Sequence, residues 1–525
     1  MAWHIFRKDV RLLWRLAVGV SFMHFVATAG MFRQGHFGHN TIFPVPLLQL
    51  FQQLAFLAFG FLIVAVVHQD AIPGARQDWL VRPIRRRDLV LAKCLFILLL
   101  VHGPVFLADL AEALAAGFPL HQSLAASVSR SAYLFFSFSL PIWIFASLTR
   151  NFTEALAGGL MAFAGYVAFQ LLSHSLYGDN NFVIGPGDAA AVAWITESLQ
   201  LLLFLVGSAV ILRLQYWRRK TWVARWLTVG IATLCLLMQY VPWQTVFAME
   251  KSLSNDPAAA KNTSVSFDSG MGKFRQPSSP SFETTAKQHA LRAAGMTSLS
   301  LPLHFYSLKA NTVLKSDRSV FHLLSSDGSA ISVNGVNDLE IHEPATGNSD
   351  ARVWQTVYLP ISTYNRIKDA PVRLEIDYSL TLLTLSSSSA ISALNGDQRT
   401  PGVGWCKTRM NDAESHVDLS CIEVGNGPSC GAVSLEYVPS GERNPEVSSC
   451  APDYAPYFRG SLSSGVLTRF GISLPFRDPA GLAPYPVDGH KLAESQVVLQ
   501  TYRAADHFTL RLVIPEIRLR DWQAD

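Results

Sequence analysis

Seven apolar stretches, each near the length of a membrane-spanning helix, crowd into the first half of this chain and constrain everything else about it. A helix needs about 20 apolar residues to cross the hydrocarbon core. The candidates run near residues 12–32, 47–67, 90–110, 131–149, 153–173, 195–214 and 224–246. The third is interrupted by His102, Gly103 and Pro104, and the fourth carries Pro141. Such breaks are tolerated where neighbouring helices satisfy the freed backbone groups. Of the 525 residues, half are hydrophobic and 16% are charged, whereas a soluble protein carries about a quarter charged. From about residue 250 onward the chain turns rich in Ser, Asp, Asn and Pro, as in a soluble domain.

The start, MAWHIFRKDVRLLWR, is charged and aromatic, and no small-x-small cleavage site follows. The first apolar run therefore reads as an uncleaved span. Trp3, Ile5, Phe6, Val10, Leu13 and Trp14 fit either an interfacial helix or an extension of that span. Lys and Arg sort the loops. Arg7, Lys8, Arg11 and Arg15 precede span one, and Arg76, Arg82, Arg85, Arg86, Arg87 and Lys93 lie between spans two and three. Arg150 follows span four; Arg213, Arg218, Arg219, Lys220 and Arg225 follow span six. The alternate loops hold only Arg33 and Arg130. The basic side is expected to be cytoplasmic, which places the C-terminal half outside, periplasmic or extracellular, on a multi-pass protein of the cell (inner) membrane. The net charge of +4 gives no sign of nucleic-acid binding.

The expected organisation is an all-α membrane domain at 1–247, a linker leading into the next domain at 248–298, and a β-sandwich-like extracytoplasmic domain at 299–525. In the last, Val372, Leu374, Ile376, Tyr378, Leu380 and Leu382 alternate with mostly polar neighbours. Phe508, Leu510, Leu512 and Ile514 repeat the pattern, which is that of half-buried strands. Weaker strands are expected near 301–308, 319–325, 330–334, 352–359, 432–438, 465–474 and 496–503, with a short one at Thr263–Phe267. About 260 residues leave room for two sub-sheets or two small sandwiches. Cys406, Cys421, Cys430 and Cys450 lie within this domain and predict two disulfides in an oxidising compartment. Three connectivities are open; sequence order favours 406–421 and 430–450. No CxxC pair supports a metal site. Cys94 and Cys235 sit in apolar runs as core residues.

Polar residues inside the spans are candidates for a substrate path. Gln49, Gln52 and Gln53 lie in span two, His24 in span one, and His102 in span three. Asp109 and Glu112 form an i, i+3 pair near the outer end of span three, expected to be solvated at the interface. Gly158, Gly159 and Gly165 fit close helix packing. No nucleophile elbow, HExxH pair or phosphate-binding loop occurs, so the chain is not expected to be an enzyme or to hydrolyse ATP.

The segment from Asp70 to Lys93 carries most information. Between Gly74 and Pro83 it can form a short helix, with Asp78 early, Trp79 and Leu80 as an apolar edge, and Pro83 as its stop. It resembles the cytoplasmic loop of ABC transporter permeases of the second, exporter type. That loop runs acidic residue, three residues, Gly-Thr, a Leu-Leu pair, Pro-Ile-Ser-Arg and a closing Lys. Asp70, Gly74, Trp79, Leu80, Pro83, Ile84, Arg86 and Lys93 take those places, while Ala75, Arg85 and the Asp at 70 depart from the pattern. Phe6-Arg7-Lys8-Asp9-Val10-Arg11 also resembles the Lys-Asp-Leu-Arg opening of such permeases. The resemblance covers about residues 1–215 and not the outer domain. It implies a coupling helix at Gly74–Arg86, including Arg82, that docks on an ABC ATP-binding subunit. ATP and magnesium would sit on that partner, and no cofactor on this chain. It further implies a homodimer or a paired permease within the lipid bilayer. The alternative is a membrane-anchored ligand-binding, sensor or scaffold protein acting through its outer β-domain.

Overall fold

Apolar runs of this length leave the backbone no partner but itself, and the chain answers with helices. The computed structural model describes residues 1–37, 45–70, 85–177, 193–238, 241, 243–254, 262–272, 295–308, 310–325, 328–335, 340–342, 350–401, 403–411, 415–424, 430–450, 465–477 and 485–523. Among the described residues, six helices are long and apolar enough to cross a bilayer. They are α1 (Ala2–Phe37), α2 (Val45–His68), α3 (Arg86–Ala115), α4 (Leu120–Ser147), α5 (Phe152–Tyr177) and α6 (Ala193–Leu212, continued by a wide turn at Arg213–Arg218). Two shorter helices follow, α7 (Thr221–Leu237) and α8 (Trp243–Leu253). The seventh expected span corresponds to α7, a 17-residue apolar helix. Gln200 near the start of α6 donates to the carbonyl of Cys235 near the end of α7 at 2.9 Å, so the two helices run antiparallel.

Both proline breaks are absorbed by π-helical turns. Ile97–His102 precedes Pro104, and Phe135–Ser139 precedes Pro141. A proline ring clashes with the carbonyl four residues back, and a wider turn relieves it. Leu62, Ile63 and Val66 of α2, Ala92, Phe96 and Ile97 of α3, and Trp143 and Ile144 of α4 form the bundle core. α5 lies at the edge, with Leu156, Leu160, Phe163 and Leu171 exposed.

The β-domain is antiparallel throughout and built of three sheets. Its spine is a pair of long strands, Val372–Ser392 and Ser495–Ile517, in register from Ile517↔Val372 to Gln496↔Ser392. At about 3.3 Å per residue a strand of 21 residues spans roughly 70 Å. The expected strands at 496–503 and 508–514 are thus one. Ala504, Ala505 and Asp506 form a bulge rather than a turn, as the register shift between Ala504 and Asp506 marks. Around this spine the eight-stranded sheet extends through Thr312–Ser325 on one side and Cys430–Tyr437 on the other.

Two cores lie along the spine. In the first, a three-stranded sheet (Ser264–Phe267, Met296–Tyr306, Ala351–Pro360) packs Leu299, Leu303 and Phe305 against Phe321, Tyr378 and Phe508. In the second, a four-stranded sheet (Leu467–Pro475, His416–Val424, Gly404–Met410, Asp397–Thr400) packs Val417 and Leu419 against Ile391, Val433 and Leu499. Two sandwiches share one sheet, the option that the domain's size left open. The disulfides are Cys406–Cys421 and Cys430–Cys450, each between directly opposed residues of neighbouring strands.

Each sandwich has its own seat on the bundle. The first rests on α6 and α8, where Ile195, Val246 and Phe247 pack with Val320. Ser379 donates to Glu250 at 2.9 Å, Ser254 to Asp506 at 3.0 Å, and Trp243 stacks on His322 at 4.9 Å. The second rests on the turn between α3 and α4. There Ala113 and Ala126 pack with Val466, and a side chain at Gly404 would meet Phe118. Gly404 has φ +134°, and a Cβ there would fall 2.2 Å from the carbonyl oxygen of Ile422. Gly404→Ala is expected to cost at least about 1–3 kcal/mol of stability, read as a lowered Tm of the detergent-solubilised chain. Gly159→Ala, inside α5 with nothing within 4 Å, is expected to be tolerated and to stabilise by about 0.5–1 kcal/mol.

Candidate functional site

An ammonium group in the wall of an apolar bundle must be paired, because an isolated buried charge is too costly to keep. Lys93 sits seven residues into α3 and is 1% exposed. Its Nζ donates to Asp9 Oδ2 at 2.7 Å and to Asp70 Oδ2 at 2.6 Å. Asp9, on α1, is fully buried. Asp70 lies two residues beyond α2, and its other oxygen accepts from Lys8 at 2.7 Å. Lys8 also lies 3.5 Å from Asp9. Two ammonium groups meet two carboxylates, so the cluster is neutral. It joins α1, the end of α2 and the start of α3 at the end of the bundle away from the β-domain.

Burial pushes the Asp70 carboxyl up, but Lys93 and Lys8 outweigh it and hold the group below its ordinary value of 3.8. The stabilisation from Asp70 is complete above that value and is lost as pH falls through the lowered one.

The same end is tied by side chains to the last carbonyls of α4. His68 lies 3.2 Å from the Ala146 carbonyl, and Gln215 donates to the Ser147 carbonyl at 2.7 Å. Arg225 donates to the Leu148 carbonyl at 2.6 Å and to Glu154 at 2.6 Å. A helix C-terminus leaves such carbonyls without partners, and α2, α6 and α7 supply them. Arg86, the first residue of α3, donates to the Trp217 carbonyl at the end of α6.

Asp70 and Arg86 therefore bracket the segment singled out in the sequence, and both are anchored. Gly74, Asp78, Trp79, Leu80, Arg82, Pro83 and Ile84 lie outside the described residues. The meeting of Lys8, Asp9 and Asp70 at Lys93 is the feature that residue-by-residue reading missed. The available signal was charge complementarity, since one lysine and one aspartate stood inside otherwise apolar helical faces.

The acidic pair on α3 requires a correction. Asp109 and Glu112 are not solvated: they are 0% and 6% exposed. Arg130 is not a loop residue either. α4 begins at Leu120, eleven residues before the expected start of its span. Ser123, Ser127 and Arg130 follow helical spacing and are buried on one face. Arg130 donates to both oxygens of Asp109, at 2.5 and 2.6 Å. Glu112 accepts the backbone N–H of Val466 at 3.2 Å, so it also touches the β-domain.

The other polar candidates do not converge on this pair. His102 is buried, lies 2.8 Å from Ser139 Oγ and packs edge-on against Phe59 and Phe135. Gln52 is buried while Gln53 is exposed, so they occupy different faces of α2. The side chain of Gln49 lies outside the described residues. No cluster of three His, Cys, Asp or Glu side chains suited to a metal occurs among the described residues.

No family profile and no curated protein matches this chain. Among solved structures, the pilus backbone of Streptococcus pneumoniae is 9% identical, with 50% of this chain and 57% of that one covered, at a TM-score of 0.10. A bacterial adhesin from Mobiluncus mulieris, containing intramolecular disulfide, isopeptide and ester bond cross-links, is 10% identical. It covers 48% of this chain and 96% of its own, at a TM-score of 0.12. Scores this low carry no argument.

Lys93→Met is expected to destabilise the chain by about 3–5 kcal/mol, since it leaves buried Asp9 only the ammonium of Lys8 at 3.5 Å and takes from Asp70 one of its two partners. Adding Asp9→Asn and Asp70→Asn should recover a large part of that loss. Thermal unfolding of the detergent-solubilised variants reads both effects. Asp70→Asn alone should flatten the loss of stability below pH 4, because the native carboxylate that must be protonated is gone.

Proposed function

We propose that this chain is the membrane subunit of an ATP-driven exporter, coupling ATP hydrolysis on a separate subunit to translocation of a substrate. The observation that carries the reading is the Lys93 cluster. It binds Asp70, at one end of the 71–84 segment, to α1 and α3. Arg86, at the other end, is held by α6. A segment anchored this way at both ends transmits a push to several spans at once. The residues that make the anchor, Lys8-Asp9, Asp70, Arg86 and Lys93, are among those on which the resemblance to exporter-type permeases rests.

In this reading the segment Gly74–Arg86 carries the coupling helix, which Pro83 ends before Arg86 opens α3. Asp78, Trp79 and Leu80 would offer a partner an acidic group and an apolar edge. The positive-inside rule supports a cytoplasmic position, because Arg7, Lys8, Arg11, Arg150, Arg218, Lys220 and Arg225 border the same end of the bundle. The N-terminus is then cytoplasmic and the β-domain extracytoplasmic, which accords with its two disulfides. A reporter fused after Asp525 is expected to be active only outside the cytoplasm. ATP and magnesium act on the partner subunit, and this chain contributes no catalytic residue. One chain supplies half of a pathway, so it works as a homodimer or beside a second permease.

The test is affinity purification of the full chain from native membranes in mild detergent, with mass spectrometry of the proteins retained. A stoichiometric ATP-binding subunit is expected, and Trp79→Ala or Arg86→Glu should reduce its recovery about tenfold while membrane insertion is unchanged. Reproducible absence of such a subunit from a well-folded preparation would overturn the reading in favour of a ligand-binding or scaffold protein acting through the β-domain.

A further inference from the structure

Where the second sandwich meets the bundle, a cavity of about 380 Å3 remains between them. One wall is the start of α4, where Gln122, Ala125, Ala126 and Ser129 follow helical spacing on one face. The other wall is β-domain, with Arg399, Thr400 and Arg503 among its residues. Phe118 is buried at the junction and carries the Arg399 guanidinium 5.8 Å above its ring.

Two features point to a ligand. Arg399 and Arg503 are exposed, and neither has a carboxylate partner among the described residues; Arg399 has a 3.4 Å contact to the Gln122 amide oxygen. Thr400 is 2% exposed, and its hydroxyl has no hydrogen-bond partner among the described residues. A buried hydroxyl without a partner is uncommon, and a ligand oxygen would satisfy it. Glu423 also lines the cavity. Two guanidinium groups without a carboxylate partner among the described residues suit an anion with several oxygens, such as a phosphodiester.

Depth identifies the ligand further. α4 has 28 residues from Leu120 to Ser147, about 42 Å at 1.5 Å per residue. The hydrocarbon core is about 30 Å thick, so roughly two turns lie outside it. With the Ser147 end of α4 set at the opposite face, those two turns are residues 120–127, which carry most of the α4 wall of the cavity. On the adjoining face of α4, Leu124, Val128 and, two turns further on, Phe136 are exposed.

We propose that this cavity binds the phosphodiester headgroup of an anionic amphiphile from the leaflet on the β-domain side. Arg399 and Arg503 take the phosphate, Thr400 bonds one of its oxygens, and the acyl chains run from Val128 toward Phe136 along the exposed face of α4. The site does not depend on the exporter reading, and its test needs no ATP-binding partner.

The full chain is purified in mild detergent, and retention of added phosphatidylglycerol is measured by native mass spectrometry. Diacylglycerol, which lacks the phosphate, and glycerophosphoglycerol, which lacks the acyl chains, are the comparison arms. Phosphatidylglycerol should be retained and diacylglycerol should not. Arg399→Gln with Arg503→Gln should weaken retention about tenfold or more, and Ala125→Trp, which fills the cavity from an exposed position, should do the same. Competition by glycerophosphoglycerol at matching concentration would support the phosphate site and assign it to soluble phosphodiesters. Equal retention of diacylglycerol, or unchanged retention by both variants, would overturn the proposal.

Discussion

Lys93 could not remain charged in an apolar bundle without Asp9 and Asp70, and the arrangement of the first three helices follows from that pairing. Desolvating an ammonium group costs several kcal/mol, and only close, well-directed carboxylates offset it. Hydrocarbon-facing helices associate weakly, because lipid tails are as apolar as leucine. A charge cluster supplies what apolar packing lacks: a single rotation and depth at which three helices fit. The same logic operates at the other end, where Arg130 and Asp109 set α3 against α4. Two buried ion pairs at opposite ends thus define the register of the central helices.

The sequence made the helices legible because hydropathy over 20 residues is a strong signal. It made the β-domain legible because alternation in Val372–Leu382 is regular and the cysteines are close together. The failures share one cause. The start of α4 was missed because Ser123, Ser127 and Arg130 lower its hydropathy, yet these residues face α3 and not water. Asp109 and Glu112 seemed solvated because their partners are distant in sequence: Arg130 is 21 residues away and Val466 is 354. The long strand Ser495–Ile517 was divided because Ala504-Ala505-Asp506 resembles a turn when its partner strand is not in view. A polar group next to an apolar run has two solutions, solvent or a buried partner, and only the tertiary fold chooses between them.

For the candidate site the balance is similar. Asp70, Arg86 and Lys93 were each conspicuous by type and spacing, but their union with Lys8 and Asp9 was not, since the chain leaves and re-enters the bundle between them. The Gln and His candidates were conspicuous only for being polar in apolar surroundings. His102 satisfies that polarity locally, with one hydroxyl partner and two aromatic neighbours.

The spine of the β-domain has a mechanical consequence. One sandwich stands on α6 and α8, the other on the α3–α4 turn, and the continuous two-strand ribbon runs through both. A ribbon embedded in a sheet resists stretching, because every added ångström strains a ladder of hydrogen bonds. The ribbon therefore splints those helix ends at a set separation. Rocking of the helices must pivot at this splint, with its greatest amplitude at the face where Lys93 lies.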